Sequence, residues 1–450
     1  MNPAETAEPT VETRKSTEVE SVFVSNYPPF SFWKPERVSD FEGVLQAPPQ
    51  DDVPLGLYLH IPFCRKRCKF CYFRVYTDKN ARQIASYLDA LAREVELYSV
   101  LPAVRDRHLK FVYFGGGTPS YIAVKHLKQL VGRLQAALPW DAAEEVAFEC
   151  EPGTLTRSKL EAVREIGVTR LSLGIENFND DILQENGRAH LSHEIYRCLP
   201  WIREQQFDQL NVDLIAGMVG ESWESWRESV RKTIDVGPDS VTIYQMELPY
   251  NTVYSQGILS GSLASPVADW ETKRAWQDYA FDELAAAGYE VSSAYTMVRR
   301  NPETGEARAR FVYRDSLWQG ADMVSAGVAS FGHLSGVHFQ NVSSWGEYLG
   351  RLEEGKLPLA RAFTTNATER LTREFILQLK LGIVDPGYFR NKFGVDPLDA
   401  FGEALGRLRD RQMLELRGDD RIELSRQGLL QVDSLLPEFY EEKYRHARYT

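Results

Sequence analysis

From Gly56 onward, short apolar runs alternate with longer amphipathic ones. The short runs predict strands at Leu57–Ile61, Phe111–Phe114, Val146–Cys150, Arg170–Leu173, Asn211–Ile215 and Ser240–Met246. Between them, Val124, Leu127, Leu130, Val131, Leu134 and Leu138 recur at helical spacing. Further helices are expected over Ala81–Val100, Arg157–Glu165, His193–Gln205, Trp223–Ile234 and Thr272–Ala287. Six strand–helix repeats imply a parallel α/β sheet with right-handed crossovers. The chain is too short for eight such units plus its C-terminal part, so the expected fold is a partial (β/α)6 TIM-like barrel. Functional residues should then gather at the C-terminal ends of its strands.

The pattern also divides the chain. Residues 1–20 are acidic and Thr-rich and read as a disordered tail. Residues 21–55 form an aromatic, proline-rich arm, and 56–320 the barrel. Ala321–Gly336 is rich in small residues and is expected to end the sheet. Tyr348–Ala362 reads as a helix and a linker, so that 321–365 forms a closing segment. Residues 366–450 predict a small helical, winged-helix-like module with a hairpin turn at Gly418-Asp419.

Composition narrows the class of protein. The 450 residues hold 52 Lys and Arg against 64 Asp and Glu, a net charge of −12. That balance argues against a nucleic-acid partner. No run approaches the roughly 18 apolar residues of a membrane span, and there is no signal-peptide pattern at the start. Five cysteines in so long a chain do not make a disulfide scaffold. A reducing, cytoplasmic location and a monomeric state are expected.

Three of those cysteines carry the chemistry. Cys64, Cys68 and Cys71 form a C-x3-C-x2-C run directly after the first strand. A [4Fe–4S] cube normally takes four cysteine ligands, so three leave one iron open to a ligand that is not protein. The alternative is zinc, but structural zinc sites pair two short cysteine halves and no second half exists here. Cys150 and Cys198 stand alone and read as buried packing residues. Gly115-Gly116-Gly117-Thr118-Pro119 ends the second strand with neither the Walker nor the dinucleotide spacing. Glycines there let a backbone approach a bound ligand closely.

The chain resembles the radical S-adenosylmethionine (SAM) superfamily, and within it the oxygen-independent coproporphyrinogen III oxidase (dehydrogenase)-like family. The resemblance rests on Tyr58-Leu59-His60-Ile61-Pro62-Phe63-Cys64 with the cysteine triplet, the glycine run, Glu149-Cys150-Glu151-Pro152, Arg170–Glu176, Asn186-Gly187-Arg188, Asn211–Gly217 and Gly355–Pro358. It implies that Cys64, Cys68 and Cys71 ligate the cluster and that SAM fills the open iron. It further implies that Tyr58 lies near the cofactor and that Gly116, Gly117 and Thr118 meet the methionyl amine. Glu149 would hydrogen-bond SAM and Arg188 pair with its carboxylate. Asp213 and Glu176 would face the ribose and sulfonium, and Phe70 stack near adenine or a second SAM. Tyr58 and Glu176 are the expected catalytic residues. An electron donor such as flavodoxin or ferredoxin is implied, as is a small-molecule substrate, a tetrapyrrole or another sp2-carbon acceptor.

Three reactions stay open within that resemblance. One is oxidative decarboxylation of coproporphyrinogen III in haem biosynthesis. A second uses two SAM molecules to move a methyl or methylene group. The third is haem binding by a chaperone, against which the long arm before Tyr58 counts. Position 73 is Phe where the coproporphyrinogen branch usually has a fourth cysteine, and Glu176 replaces its usual Gln. Arg74, Arg299 and Arg314 are candidates to meet acidic substrate tails, and His333 and His338, read as loop residues, are candidate haem ligands or proton relays.

Overall fold

The computed structural model describes residues 17–447, apart from 51, 264–266, 419–420 and 446. Six parallel strands form where the apolar runs fall: β1 Leu55–Ile61, β2 Leu109–Gly116, β3 Glu145–Cys150, β4 Arg170–Glu176, β5 Gln209–Ala216 and β6 Ser240–Gln245. Helices connect them, with starts and stops written locally. Asn80 and Gln83 cap the helix Ala81–Ser99 reciprocally. Ser222 caps Trp223–Val236, which ends at Gly237 in the left-handed conformation.

Alternation along the strands sorts the two faces of the sheet. Leu57, Leu59, Val112, Phe114, Val146, Phe148, Leu171, Leu173, Val212 and Leu214 are buried in one apolar core with the helices. The residues between them, including Tyr58, His60, Tyr113, Glu149, Ser172, Asp213 and Tyr244, occupy the other face. Parallel strands are ordinarily apolar on both faces. Polar residues at every second position therefore mark an inner face that holds something.

The sheet extends past both ends of this core. β7 Tyr289–Val291 and β8 Thr296–Arg299 add antiparallel strands beyond β6. On the other side, β9 Asp322–Ala326 lies parallel to β1, and β10 Phe331–Leu334, β11 Val337–Asn341 and β12 Leu359–Thr364 follow antiparallel. The order β12-β11-β10-β9-β1-β2-β3-β4-β5-β6-β8-β7 leaves β12 and β7 as edges, so the barrel is open. The expectation that the sheet ends over Ala321–Gly336 is corrected here, because small residues suit a strand buried on both faces. The expected linker before Ala362 is likewise a strand. His333 and His338 are not loop residues but face each other across β10 and β11.

The arm packs along the sheet edge and the C-terminal module. Lys34 and Ala362 exchange backbone hydrogen bonds. Glu247 accepts from the N–H groups of Val22 and Phe23, and Val24 donates to Asp433. Order begins earlier than expected: Thr17 is buried and bonded to Ala268 and Lys273, while residues 1–16 of the expected tail lie outside the described residues. In the C-terminal module, the helix Ala367–Leu379 leads to β13 Ile383–Val384, the helices Pro386–Phe393 and Gly402–Asp410, then β14 Leu414–Leu416 and β15 Ile422–Leu424. The sheet order β13-β15-β14 is winged-helix-like. Asp419, half of the expected turn, lies outside the described residues. No helix among the described residues is long and apolar enough to cross a membrane.

Candidate functional site

The cysteine loop leaves the end of β1 and is closed at its neck by Cys64 N–H to Tyr76 O at 3.1 Å and Tyr76 N–H to Pro62 O at 2.6 Å. It is clamped between two other loops. Lys69 donates to Asn186 O beyond β4, and Val253 beyond β6 donates to Lys69 O. The three thiols are free and half-buried. Thr118 Oγ1 donates to Cys64 Sγ and Arg188 Nη1 to Cys68 Sγ, both at 3.4 Å. Burial pushes the Cys64 thiol up to about 11 and the Cys71 thiol up to about 12. A bound metal must therefore displace their protons. Cys150 and Cys198 are buried in the apolar core, so neither supplies a fourth thiol.

The glycine turn holds this loop from beside it. Gly117 donates to Ile61 O and Thr118 to Phe63 O, each at 2.8 Å. A Cβ on Gly117 would lie 2.7 Å from Ile61 O, and one on Gly116, at φ +108°, would lie 2.4 Å from the His60 ring. Gly116 N–H donates to Glu149 at 3.1 Å. The N–H groups of Gly116, Gly117 and Thr118 are thus all engaged. The Thr118 carbonyl is engaged as well, accepting from Tyr121 N–H at 2.9 Å.

Carboxylates converge beside the glycines. Glu149 accepts from the Tyr113 hydroxyl at 2.8 Å, and burial pushes its carboxyl up to about 7. Asp213 accepts from Ser172 and Asn211, each at 2.8 Å, and is raised by burial. Glu176 sits in left-handed backbone, φ 63°, at the end of β4, a conformation that commonly marks functional positions. It faces Arg188 at 3.4 Å, and burial pushes it up to about 7 despite that cation. Arg188 also donates to Gly174 O at 2.8 Å, yet its Nε is buried without a partner.

The other expected residues divide. Tyr58 lies on the inner face, its hydroxyl 3.3 Å from His60 Nδ1. Phe70 packs against a separate apolar cluster with Ile182, Met218, Val219 and Tyr254. Tyr244 is on the inner face and 42% exposed, so that face is open to solvent. Arg74 stays near the loop, its carbonyl 3.4 Å from His60 Nε2. Arg299 and Arg314 lie at the other end of the strands. Arg299 bonds Gly237 O ahead of β6, and Arg314 pairs with Asp315. His338 is held by Asn26 and Tyr27 O and stacked on Trp33, so both its nitrogens are occupied. Sequence reasoning overlooked Tyr113, Ser172, Asn211, His60 and the bidentate Arg65–Glu151 pair. The polar alternation on otherwise apolar strands is the signal that finds the first four.

Three thiols of one loop without a fourth cysteine, an orphaned guanidinium nitrogen, and carboxylates short of cations suit a cluster with an open iron and a cationic co-ligand. Comparison with known proteins agrees. The Radical SAM superfamily matches over residues 58–233. The chain is 27% identical to the oxygen-independent coproporphyrinogen III oxidase of Synechocystis sp., over 79% of this chain and 77% of that one. It is 25% identical to the heme chaperone HemW of Bacillus subtilis, over 86% of this chain and 99% of that one. The fold superposes on coproporphyrinogen III oxidase (HemN) from Escherichia coli with a TM-score of 0.78 at 22% identity, covering 93% and 96% of the two chains. The cofactors of this family are a [4Fe–4S] cluster and SAM. Over residues 58–233 the chain is similar to the Radical SAM superfamily, and over most of its length it is similar both to oxygen-independent coproporphyrinogen III oxidases and to heme chaperones.

Proposed function

We propose that this chain is a radical SAM enzyme acting on a C–H bond of a small-molecule substrate. The observation that carries the proposal is the juxtaposition of the half-buried cysteine triplet with Arg188 and Glu176, all at the C-terminal ends of parallel strands. Bound here, the cluster and SAM supply one-electron cleavage of a carbon–sulfur bond and the hydrogen abstraction that comes after it. The chain's own groups position them. Cys64, Cys68 and Cys71 hold the cluster. Arg188 offers its unpartnered Nε to the SAM carboxylate. Glu149, Asp213 and Glu176 present negative charge to the cationic amine and sulfonium. Tyr58 and Tyr113 wall the inner face.

Within the family, the named relatives make oxidation of coproporphyrinogen III the first reading. A methyl or methylene transfer is the second. It is favoured by Phe73, which stands in place of a thiol, stacks on Tyr72 with ring centroids 4.5 Å apart and is 43% exposed. It is favoured also by the carboxylate-lined inner face, which suits an uncharged acceptor better than one with several carboxylate arms. Anaerobic reconstitution with iron, sulfide, dithionite and SAM tests both. 5′-Deoxyadenosine with carbon dioxide from coproporphyrinogen III supports the first, and S-adenosylhomocysteine as co-product supports the second. Haem retention without SAM cleavage would overturn the enzyme reading in favour of a chaperone.

A further inference from the structure

A second site lies at the opposite end of the sheet. Asp322 begins β9 beside Leu55 of β1, about 20 Å from the cysteine loop at roughly 3.3 Å per residue. There a cavity of about 90 Å³ separates the sheet from the C-terminal module. Asp322 and His333 line it from the sheet, Arg370, Arg373 and Glu374 from the helix Ala367–Leu379, and Lys392 from the helix Pro386–Phe393.

The charges around this cavity do not balance. Both carboxylates are already matched: Asp322 by Arg107 at 2.9 Å and the Ser335 N–H at 2.7 Å, Glu374 by Lys392 at 2.8 Å and the Tyr388 hydroxyl. The two arginines are not. Arg370 donates to the Thr365 carbonyl, and Arg373 to Asn26 Oδ1 and the Leu317 carbonyl, all neutral acceptors. Neither has a carboxylate to itself: Glu374 and Asp322 act on Arg373 from nearby, but each is already paired, with Lys392 and Arg107. Arg373 is only 6% exposed. A buried cation that must share its counter-ions with other cations is costly, and proteins ordinarily match it more fully. His333, 7% exposed, has no side-chain hydrogen-bond partner, and its contact to the Ala321 backbone is too loose to satisfy a ring nitrogen fully. Burial and the neighbouring Arg373 pull its pKa well down, so the ring is neutral, with one N–H to donate. Gly320, at φ +82°, lets the Glu374–Lys392 pair lie close against the backbone at the cavity wall, since a Cβ there would lie 2.1 Å from Glu374.

We propose that this cavity binds a small oxyanion of the phosphate class, held by Arg370, Arg373 and His333, and that the anion fastens the C-terminal module to the sheet. Its volume is about three water volumes. That admits one tetrahedral oxyanion group and is too small for a whole nucleotide or tetrapyrrole. Two unmatched guanidinium groups suit a doubly charged ligand and its bidentate geometry. The anion is either free phosphate or the phosphoryl end of a larger molecule entering past the exposed Arg370. The inference is independent of the reaction at the cysteine loop.

Calorimetric titration of the full chain at constant ionic strength tests it, with inorganic phosphate in one arm and glycerol 3-phosphate in the other. Saturable 1:1 binding of phosphate is expected, with a matching rise in melting temperature. Arg370→Ala, at the exposed rim, should weaken binding about tenfold or more and leave dithionite-driven SAM cleavage unchanged. His333→Phe should fill the cavity and abolish binding while the protein stays folded. Equal or tighter binding of the ester identifies a phosphorylated molecule as the source, and binding of inorganic phosphate alone identifies the free ion. No saturable binding of either, or binding unaffected by both substitutions, overturns the proposal.

Discussion

The two ends of the same strands treat charge in opposite ways. At the N-terminal ends of β3 and β4, Glu145 and Arg170 form a buried ion pair at 2.9 Å. Glu145 also accepts from the N–H groups of Val312 and Tyr313, and Arg170 lies over the Phe311 ring. At the C-terminal ends, Glu149 and Asp213 take only neutral donors from their own chain. Glu176 has Arg188, which is shared with Cys68. One end is closed by the protein itself. The other holds desolvated carboxylates that a cationic ligand would match. The lesson is that burial of charge serves stability where both partners are covalently present, and serves binding where one is missing.

Removing a ligand from the open end should have the largest effect. Cys68→Ala should abolish both iron incorporation and SAM cleavage, read as iron per chain and 5′-deoxyadenosine by chromatography, while the urea midpoint of the metal-free protein hardly moves. Glu145→Ala breaks the closed end. It leaves Arg170 buried and unmatched and should destabilise the fold by about 3–5 kcal/mol in urea unfolding. Glu149→Gln should do the reverse. It removes a charge that a cationic ligand needs, so SAM affinity should fall about 10–100-fold by calorimetry, with the unfolding midpoint unchanged or higher. If Glu149→Gln instead destabilised as much as Glu145→Ala, the contrast between the two ends would be wrong.

The pH dependence sharpens the same contrast. Burial pushes Glu149 and Glu176 up to about 7, from the ordinary 4.5. Between those values the native state holds protons that the unfolded chain has released, so their contribution to stability falls as pH rises through that window. SAM binding should run the other way and weaken below pH 7 as these carboxyls protonate. Melting curves at pH 5, 6, 7 and 8 should show a shallower loss for the Glu149→Gln, Glu176→Gln pair than for the unsubstituted protein. The smallest effect belongs to the rim of the cysteine loop. Lys69 and Glu185 pair at 2.9 Å but are 37% and 52% exposed. Glu185→Ala should therefore cost at most about 1 kcal/mol and leave SAM cleavage unaltered.

What the sequence determined by itself was local. Contiguous apolar runs of strand length were enough to find β1 to β6, and helical spacing was enough to find their connections, because both patterns repeat within one element. The spacing of Cys64, Cys68 and Cys71 defined the chemistry for the same reason: the three ligands share one loop. Tertiary structure decided the rest. β9 and β12 are short and mixed in composition, and they are strands only because β1 and β11 lie beside them. The partners of the site come from distant turns of the chain, such as Arg188 on Cys68, 120 residues apart. Which carboxylate finds a cation, which glycine N–H is already taken, and which arginines stand at the far end of the barrel depend on contacts between elements, and no periodicity within a single element encodes them.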